Sequence, residues 1–241
     1  MKKGRIVLVF IAVVAAAAFI APAFDLPWLG SMNWGVAATV LAILVCVALL
    51  FEFEAKATSS KEIALVAMLS TISAVSRIPF AAIPNVQPCT YLIICSGYVF
   101  GPIAGFAVGA MTALVSNFFL GQGPWTLYQM IAWGLAGLSA GYLSKLGLNR
   151  PLLIAFGILW GYLYGLITNI WFWTAFVYPL TLKTFIVTQF NTVWFDTLHA
   201  VGNAAFLSIL GTKTIAILKR YKARFMVNSL SCQRKADVIV G

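Results

Sequence analysis

Gln189-Phe-Asn-Thr-Val-Trp-Phe-Asp-Thr-Leu-His-Ala-Val-Gly-Asn203 is mostly apolar, yet it carries Gln189, Thr192, Asp196, His199 and Asn203 at intervals of three, four, three and four. At 3.6 residues per turn this spacing holds all five on one face of a helix. Phe190, Val193, Trp194, Phe195, Leu198 and Val201 cover the rest, a surface suited to lipid or to neighbouring helices. Ionisable groups inside a bilayer are costly and face a cavity or a partner. The stripe is therefore expected to line something polar.

The whole chain has the composition of a membrane protein. Apolar residues make up 62% and charged residues 9%, and mean hydropathy is +0.96, well outside the range of soluble domains. Runs long enough for a ~30 Å hydrocarbon core predict eight spans: Ile6–Ala21, Trp34–Phe51, Ile63–Ile78, Thr90–Phe100, Ile103–Leu120, Leu127–Leu146, Leu152–Trp173 and Asn191–Leu218. The first follows Lys2, Lys3 and Arg5 and ends in Ala15–Ala18, so a cleaved signal peptide is the alternative to a retained anchor. The anchor is expected, because a second span follows closely and the pair preserves the topology.

Charge sets the orientation. In an eight-span drawing fourteen of the sixteen Lys and Arg residues fall on one side, and only Arg77 and Lys183 on the other. That bias places both termini in the cytoplasm of a multi-pass cell-membrane protein. The net charge of +10 is then a topological signature; no nucleic-acid partner is implied, and Lys219–Arg224 is expected to rest on anionic lipid headgroups. The four cysteines show neither a CxxC nor a Cys/His spacing, so no disulfide framework and no metal site is expected.

The chain divides into an N-terminal transmembrane pair with a charged link (residues 1–60), a six-span core (61–219) and a basic tail (220–241). Within the core Gly101, Gly105, Gly109 and Ala113 recur every fourth position, as do Gly157, Gly161 and Gly165 with Asn169 next in line. Small residues at this interval let helix backbones approach closely. Packing within the fold is the ordinary reading; for the Gly101 ladder a docking surface for another membrane protein is the alternative. Gly101-Pro102 reads as a tight turn whose proline opens the next helix.

Two outward loops are stiff and rich in hydrogen-bonding groups, Arg77-Ile-Pro-Phe-Ala-Ala-Ile-Pro-Asn-Val-Gln-Pro88 and Gly121-Gln-Gly-Pro-Trp-Thr126. Counting 1.5 Å per residue puts Asn117, Gln129, Asn169 and the upper stripe in the outer half of the bilayer. Trp125, Tyr128, Trp133, Trp171, Trp173, Tyr178 and Trp194 lie at similar heights, where an interfacial aromatic belt is the default reading. The inner halves of the same helices hold few equivalents. One-sided polarity argues for an outward-facing pocket and against a continuous pore, which needs a polar path through both leaflets. There are no paired helix breaks of the kind secondary carriers use, and no GxxxxGK[ST] phosphate loop. A protein that captures a solute outside and cannot power its release needs a partner.

Residues Ala64–Gly141 resemble the substrate-binding (S) components of energy-coupling-factor (ECF) transporters, vitamin-uptake relatives of ABC importers. Arg77-Ile-Pro, Pro84-Asn-Val-Gln-Pro88, Tyr98-Val-Phe-Gly-Pro102 with its glycine ladder, and Phe119-Leu-Gly-Gln-Gly-Pro-Trp-Thr126 carry the resemblance. Within the family the combination is most similar to the cobalamin-type component. The resemblance implies an all-α integral membrane protein with a six-helix S-component core, here preceded by two extra N-terminal helices. It also implies a vitamin bound on the outer face and delivery by toppling onto a transmembrane coupling subunit that carries two ABC-type ATPases. Family members often dock through Ala-xxx-Ala on the first core helix; here the corresponding positions are Ala67 with Thr71 and Ser70 with Ala74, beside the ladder of Gly101, Gly105 and Gly109.

The expected binding residues are Arg77, Asn85, Gln87, Asn117, Gln122, Trp125, Tyr128, Gln129, Trp133, Asn169, Gln189, Thr192, Asp196 and His199. Neutral hydrogen-bonders and aromatics dominate, which suits a large, amide-bearing, mostly neutral cargo. Cobalamin fits as transported ligand, with no resident cofactor; another heterocyclic vitamin or a modified nucleobase fits too. His199 has two readings, a ligand to cobalt and a structural partner of Asp196, its i, i+3 neighbour. Arg77 is equally an interface anchor or a ligand contact. A stand-alone permease using Asp196 and His199 is the alternative function. An intramembrane enzyme is a weaker one, since the chain has only six acidic residues and no nucleophile, metal cluster or paired carboxylates. No catalytic residue is expected.

Overall fold

The computed structural model describes residues 33–54, 60–147 and 149–223, which are helical apart from their connections and contain no strand. The helices are α1 (Trp34–Glu54), α2 (Ser60–Arg77), α3 (Pro88–Phe100), α4 (Pro102–Leu120), α5 (Trp125–Leu143), α6 (Arg150–Phe176) and α7 (Leu182–Phe206). Helical backbone continues from α7 through a π-helical turn, Leu207–Gly211, to Ala223, the last described residue. The expected span Ile6–Ala21 and the tail from Arg224 lie outside the described residues.

Helix starts follow local chemistry. Pro88 and Pro102 open α3 and α4, where a missing N–H costs nothing. The Asn149 side chain accepts from Leu152 N at 3.0 Å and starts α6 two residues before the expected span. Thr181 and Thr184 cap each other's backbone and start α7 at Leu182, nine residues before the expected Asn191. The continuous helix Leu182–Ala223 has 42 residues, about 60 Å at 1.5 Å per residue. That is about twice the hydrocarbon thickness, so it must tilt or project.

By length and apolarity three described helices can cross a membrane: Pro102–Leu120, Arg150–Phe176 and Leu182–Ala223. Of the other helices, α1 is apolar over Gly35–Leu44, and α2, α3 and α5 are shorter or more polar. α3 has 13 residues, about 20 Å, and α2 carries Lys61, Glu62, Ser70, Thr71 and Ser73. α3 is short because it is central: it packs on α2, α4, α5, α6 and α7, and most of its residues are buried.

Glycine fixes how closely the helices meet. A Cβ on Gly105 would lie 2.3 Å from the Gly137 carbonyl oxygen, so α4 and α5 cross backbone to backbone. Gly109 meets the Trp133 carbonyl in the same way, and Gly161 meets Ala200 of α7. Gly101, at φ +99°, supplies the turn between α3 and α4 that a side chain would resist. α1 packs on α5 and α6, with Gly35 against Ala175. The connections 78–87, 121–124 and 177–181 share one end of the bundle; Gly101 and 144–149 share the other, where Lys222 Nζ donates to the Val99 carbonyl at 2.6 Å.

Candidate functional site

Arg77 ends α2 with its side chain turned inward, 5% exposed. It is therefore not a snorkelling interface anchor. Its Nε donates to Gln87 Oε1 at 3.0 Å and its Nη1 to Asn117 Oδ1 at 3.0 Å and to Ser116 Oγ. The guanidinium carbon lies 4.5 Å from the centre of the fully buried Trp133 ring, a cation–π arrangement. Every hydrogen bond that Arg77 makes among the described residues goes to a neutral group.

From Asn117 the network runs to the start of α5. Asn117 Nδ2 donates to Thr126 Oγ1 at 2.9 Å and to Gln129 Oε1 at 2.7 Å. Thr126 Oγ1 in turn donates to Gln122 Oε1, also at 2.9 Å, which ties down the 121–124 loop. Beneath this layer Trp133 Nε1 donates to Thr90 Oγ1 at 2.9 Å, and the same hydroxyl meets His199 Nε2 at 2.8 Å. Tyr164 stands between the Trp133 and His199 rings, at centroid distances of 4.7 and 4.8 Å.

The α7 stripe holds together. Asp196, His199 and Asn203 are buried, Gln189 and Thr192 are half-buried, and Phe190, Val193, Trp194 and Val201 point outward. Its upper part faces α6: Asn169 Nδ2 donates to Gln189 Oε1 at 2.9 Å and to Thr192 Oγ1 at 2.7 Å, and Thr192 donates to Asp196 Oδ2 at 3.2 Å. Gly165 leaves the room that Asp196 fills, since a Cβ there would lie 2.0 Å from Asp196 Oδ1. The expected Asp196–His199 hydrogen bond is not made. One helical turn apart, Asp196 settles on α6 while His199 reaches Thr90 on α3. His199 Nδ1 and Gln189 Nε2 are buried without hydrogen-bond partners among the described residues.

Other expected site residues are placed differently. Asn85, the one non-glycine residue with positive φ (+52°) among the described residues, donates from Nδ2 to the Phe195 carbonyl at 2.9 Å. It clamps the 78–87 loop onto α7. Trp125 packs on Trp171 at 5.3 Å, and Tyr128 is buried beside Thr39 of α1 and Thr174 of α6. The aromatics are therefore divided. Tyr128, Trp133 and Trp173 are interior, while Tyr178 and Trp194 face outward, as a belt would.

Of the expected docking positions, Ser70 and Ala74 are each 2% exposed, and Gly105 and Gly109 are consumed by α5. Those four are turned inward; Ala67 and Thr71 are exposed and Gly101 partly so. Ser116, Thr90, Thr126 and Tyr164 belong to the cluster, although the polar spacing of the sequence does not single them out. The signal available was weak: hydroxyls in apolar helices are common, and most return their proton to their own backbone, as Ser116 does to the Thr112 carbonyl at 2.6 Å.

The arrangement gathers hydrogen-bonding groups and ring faces from α2, the 78–87 loop and α3 to α7 at one end of the bundle. No group of three or more His, Cys, Asp or Glu side chains that could hold a metal occurs among the described residues. No curated protein and no solved structure matches the chain. Residues 61–217, the region that carries the whole cluster, match the model of the family described as "ECF transporter, substrate-specific component". The chain belongs to that family: it is a substrate-binding, non-catalytic membrane subunit of the ECF transporters.

Proposed function

We propose that this chain captures cobalamin from outside the cell in a pocket built around Arg77, and releases it inward only after docking on a coupling subunit with two ABC-type ATPases. The observation that carries this reading is the one-ended cluster. Arg77, Gln87, Asn117, Gln129 and the Asn169–Asp196 group lie at the end where the 78–87 and 121–124 loops meet. The fourteen-to-two bias of Lys and Arg assigns that end to the outside. Neutral amides and ring faces suit a large ligand whose rim is itself built of amides.

A stand-alone permease is the weaker reading. Toward the other end, α4 and α5 meet backbone to backbone at Gly105 and Gly137, as Gly141 meets Pro102. That packing leaves no room for a hydrated path between these helices. For docking, the exposed face of α2 around Ala67 and Thr71 offers the small residues that close helix approach requires.

Titration of the purified chain with radiolabelled cobalamin tests the reading. Saturable binding is expected, weakened by Asp196→Asn and by Gln129→Ala while both variants remain membrane-inserted. Unchanged affinity in both variants places the ligand elsewhere, and absent binding removes cobalamin as cargo.

A further inference from the structure

Arginine can only donate hydrogen bonds, and that fixes the direction of every bond around Arg77. Gln87 must turn its oxygen to Nε and Asn117 its oxygen to Nη1, which leaves the Asn117 nitrogen facing Gln129. Gln129 must then answer with its oxygen. Each of these oxygens accepts one inward bond. The groups turned away from the relay are donors: the amide nitrogen of Gln87, that of Gln129, which lies beside the Tyr164 hydroxyl, and Nη2 of Arg77 itself.

Nη2 has no hydrogen-bond partner among the described residues. The residue as a whole is 5% exposed. Among the described residues no hydrogen bond of Arg77 goes to an acid. Asp196, the acid of the stripe, spends its carboxylate on Thr192 and packs on Gly165. A buried cation held only by neutral groups is costly, and an anion brought by a ligand repays that cost through a charge-assisted fork.

We propose that Arg77, Gln87 and Gln129 form a seat for an anionic oxygen pair on the cargo, a carboxylate or a phosphodiester; this rests on the capture reading above and narrows its substrate class. The Trp133 ring beneath the guanidinium fixes the plane in which the fork presents Nη2. Cobalamin would offer its phosphodiester, an acidic vitamin its carboxylate.

Two matched pairs, pantothenate with pantothenol and biotin with biotinamide, and a third comparison, cyanocobalamin with dicyanocobinamide (which lacks the whole nucleotide loop, so its difference counts only where Arg77→Gln abolishes it), are titrated calorimetrically into the full chain in lipid nanodiscs. At least one anionic member is expected to bind about tenfold tighter than its neutral counterpart, or better. Arg77→Gln is expected to erase that preference. Because that variant removes a buried hub and can fail to fold, Gln129→Glu serves as the second: it keeps the oxygen that Asn117 needs and replaces the amide nitrogen by a repelling carboxylate oxygen. It too is expected to erase the preference. Cyanocobalamin bound no better than cobinamide, with no preference in the other pairs, leaves the capture reading standing and removes the anion seat. Pantothenate or biotin preferred, with cyanocobalamin ignored, keeps the seat and removes cobalamin as cargo. No preference in any pair, absent binding included, or a preference that survives in folded Arg77→Gln or Gln129→Glu, overturns the proposal.

Discussion

Arg77 Nη1 donates to Asn117 Oδ1 at 3.0 Å across forty positions of sequence, and that single bond orients the amide network of the site. Asn117 is the relay, since its nitrogen passes the polarity on to Thr126 and Gln129. Asn117→Asp gives Arg77 a full counter-charge but takes away both donors. The variant is expected to fold and to lose ligand affinity, as measured by titration beside a thermal melt. Asn117→Leu removes the donor to Gln129 Oε1 and one partner each from Arg77 Nη1, which keeps Ser116, and Thr126, which keeps Gln122; a stability loss of about 1–3 kcal/mol is expected.

Thr90 tests the layer beneath. Its hydroxyl joins Trp133 Nε1 and His199 Nε2, so Thr90→Val leaves two buried ring nitrogens unpaired. A loss of about 1–3 kcal/mol for each group is the expected range. Thr90→Ser is expected to restore most of it in the same thermal-unfolding assay. Equal melting of the Val and Ser variants would show that the hydroxyl holds nothing.

Two glycines of one ladder are expected to respond differently. Gly105→Ala forces a methyl against the Gly137 backbone, which no rotamer change relieves. The expected cost is about 3 kcal/mol or more, at or above the top of the overpacking range, read as loss of folded protein in detergent. Gly101→Ala meets open space, and its cost is that of a backbone at φ +99°, ψ 175° which only glycine adopts readily, about 1–3 kcal/mol.

Asn85 holds the loop over α7 by its conformation and by its bond to the Phe195 carbonyl. Asn85→Gly keeps the backbone freedom and loses the bond, so a mild defect is expected, about 1 kcal/mol. Asn85→Val loses both and is expected to cost more. Limited proteolysis of the 78–87 loop reads the difference, with cleavage rising from wild type to Gly to Val.

These residues also show how far the sequence could be read. The α7 stripe was legible because five polar side chains obey one helical period, and the structure buries that face while Phe190, Trp194 and Val201 point outward. The glycine ladders were legible as packing, for a run of small side chains has few other uses in a membrane helix. What could not be read was direction across helices. Nothing local tells that Asp196 turns to α6 and His199 to α3, since both partners are distant in sequence. Ser116, Thr90 and Tyr164 were hidden for the same reason. The early start of α7 was missed because its determinant is a capping box between Thr181 and Thr184, outside the apolar run that defined the span.

The most direct measurement of the central claim is cobalamin uptake into proteoliposomes, made with this chain alone and with the coupling subunit and its two ATPases. The account expects bound but untransported ligand in the first case and ATP-dependent accumulation in the second. Accumulation by the chain alone would contradict it.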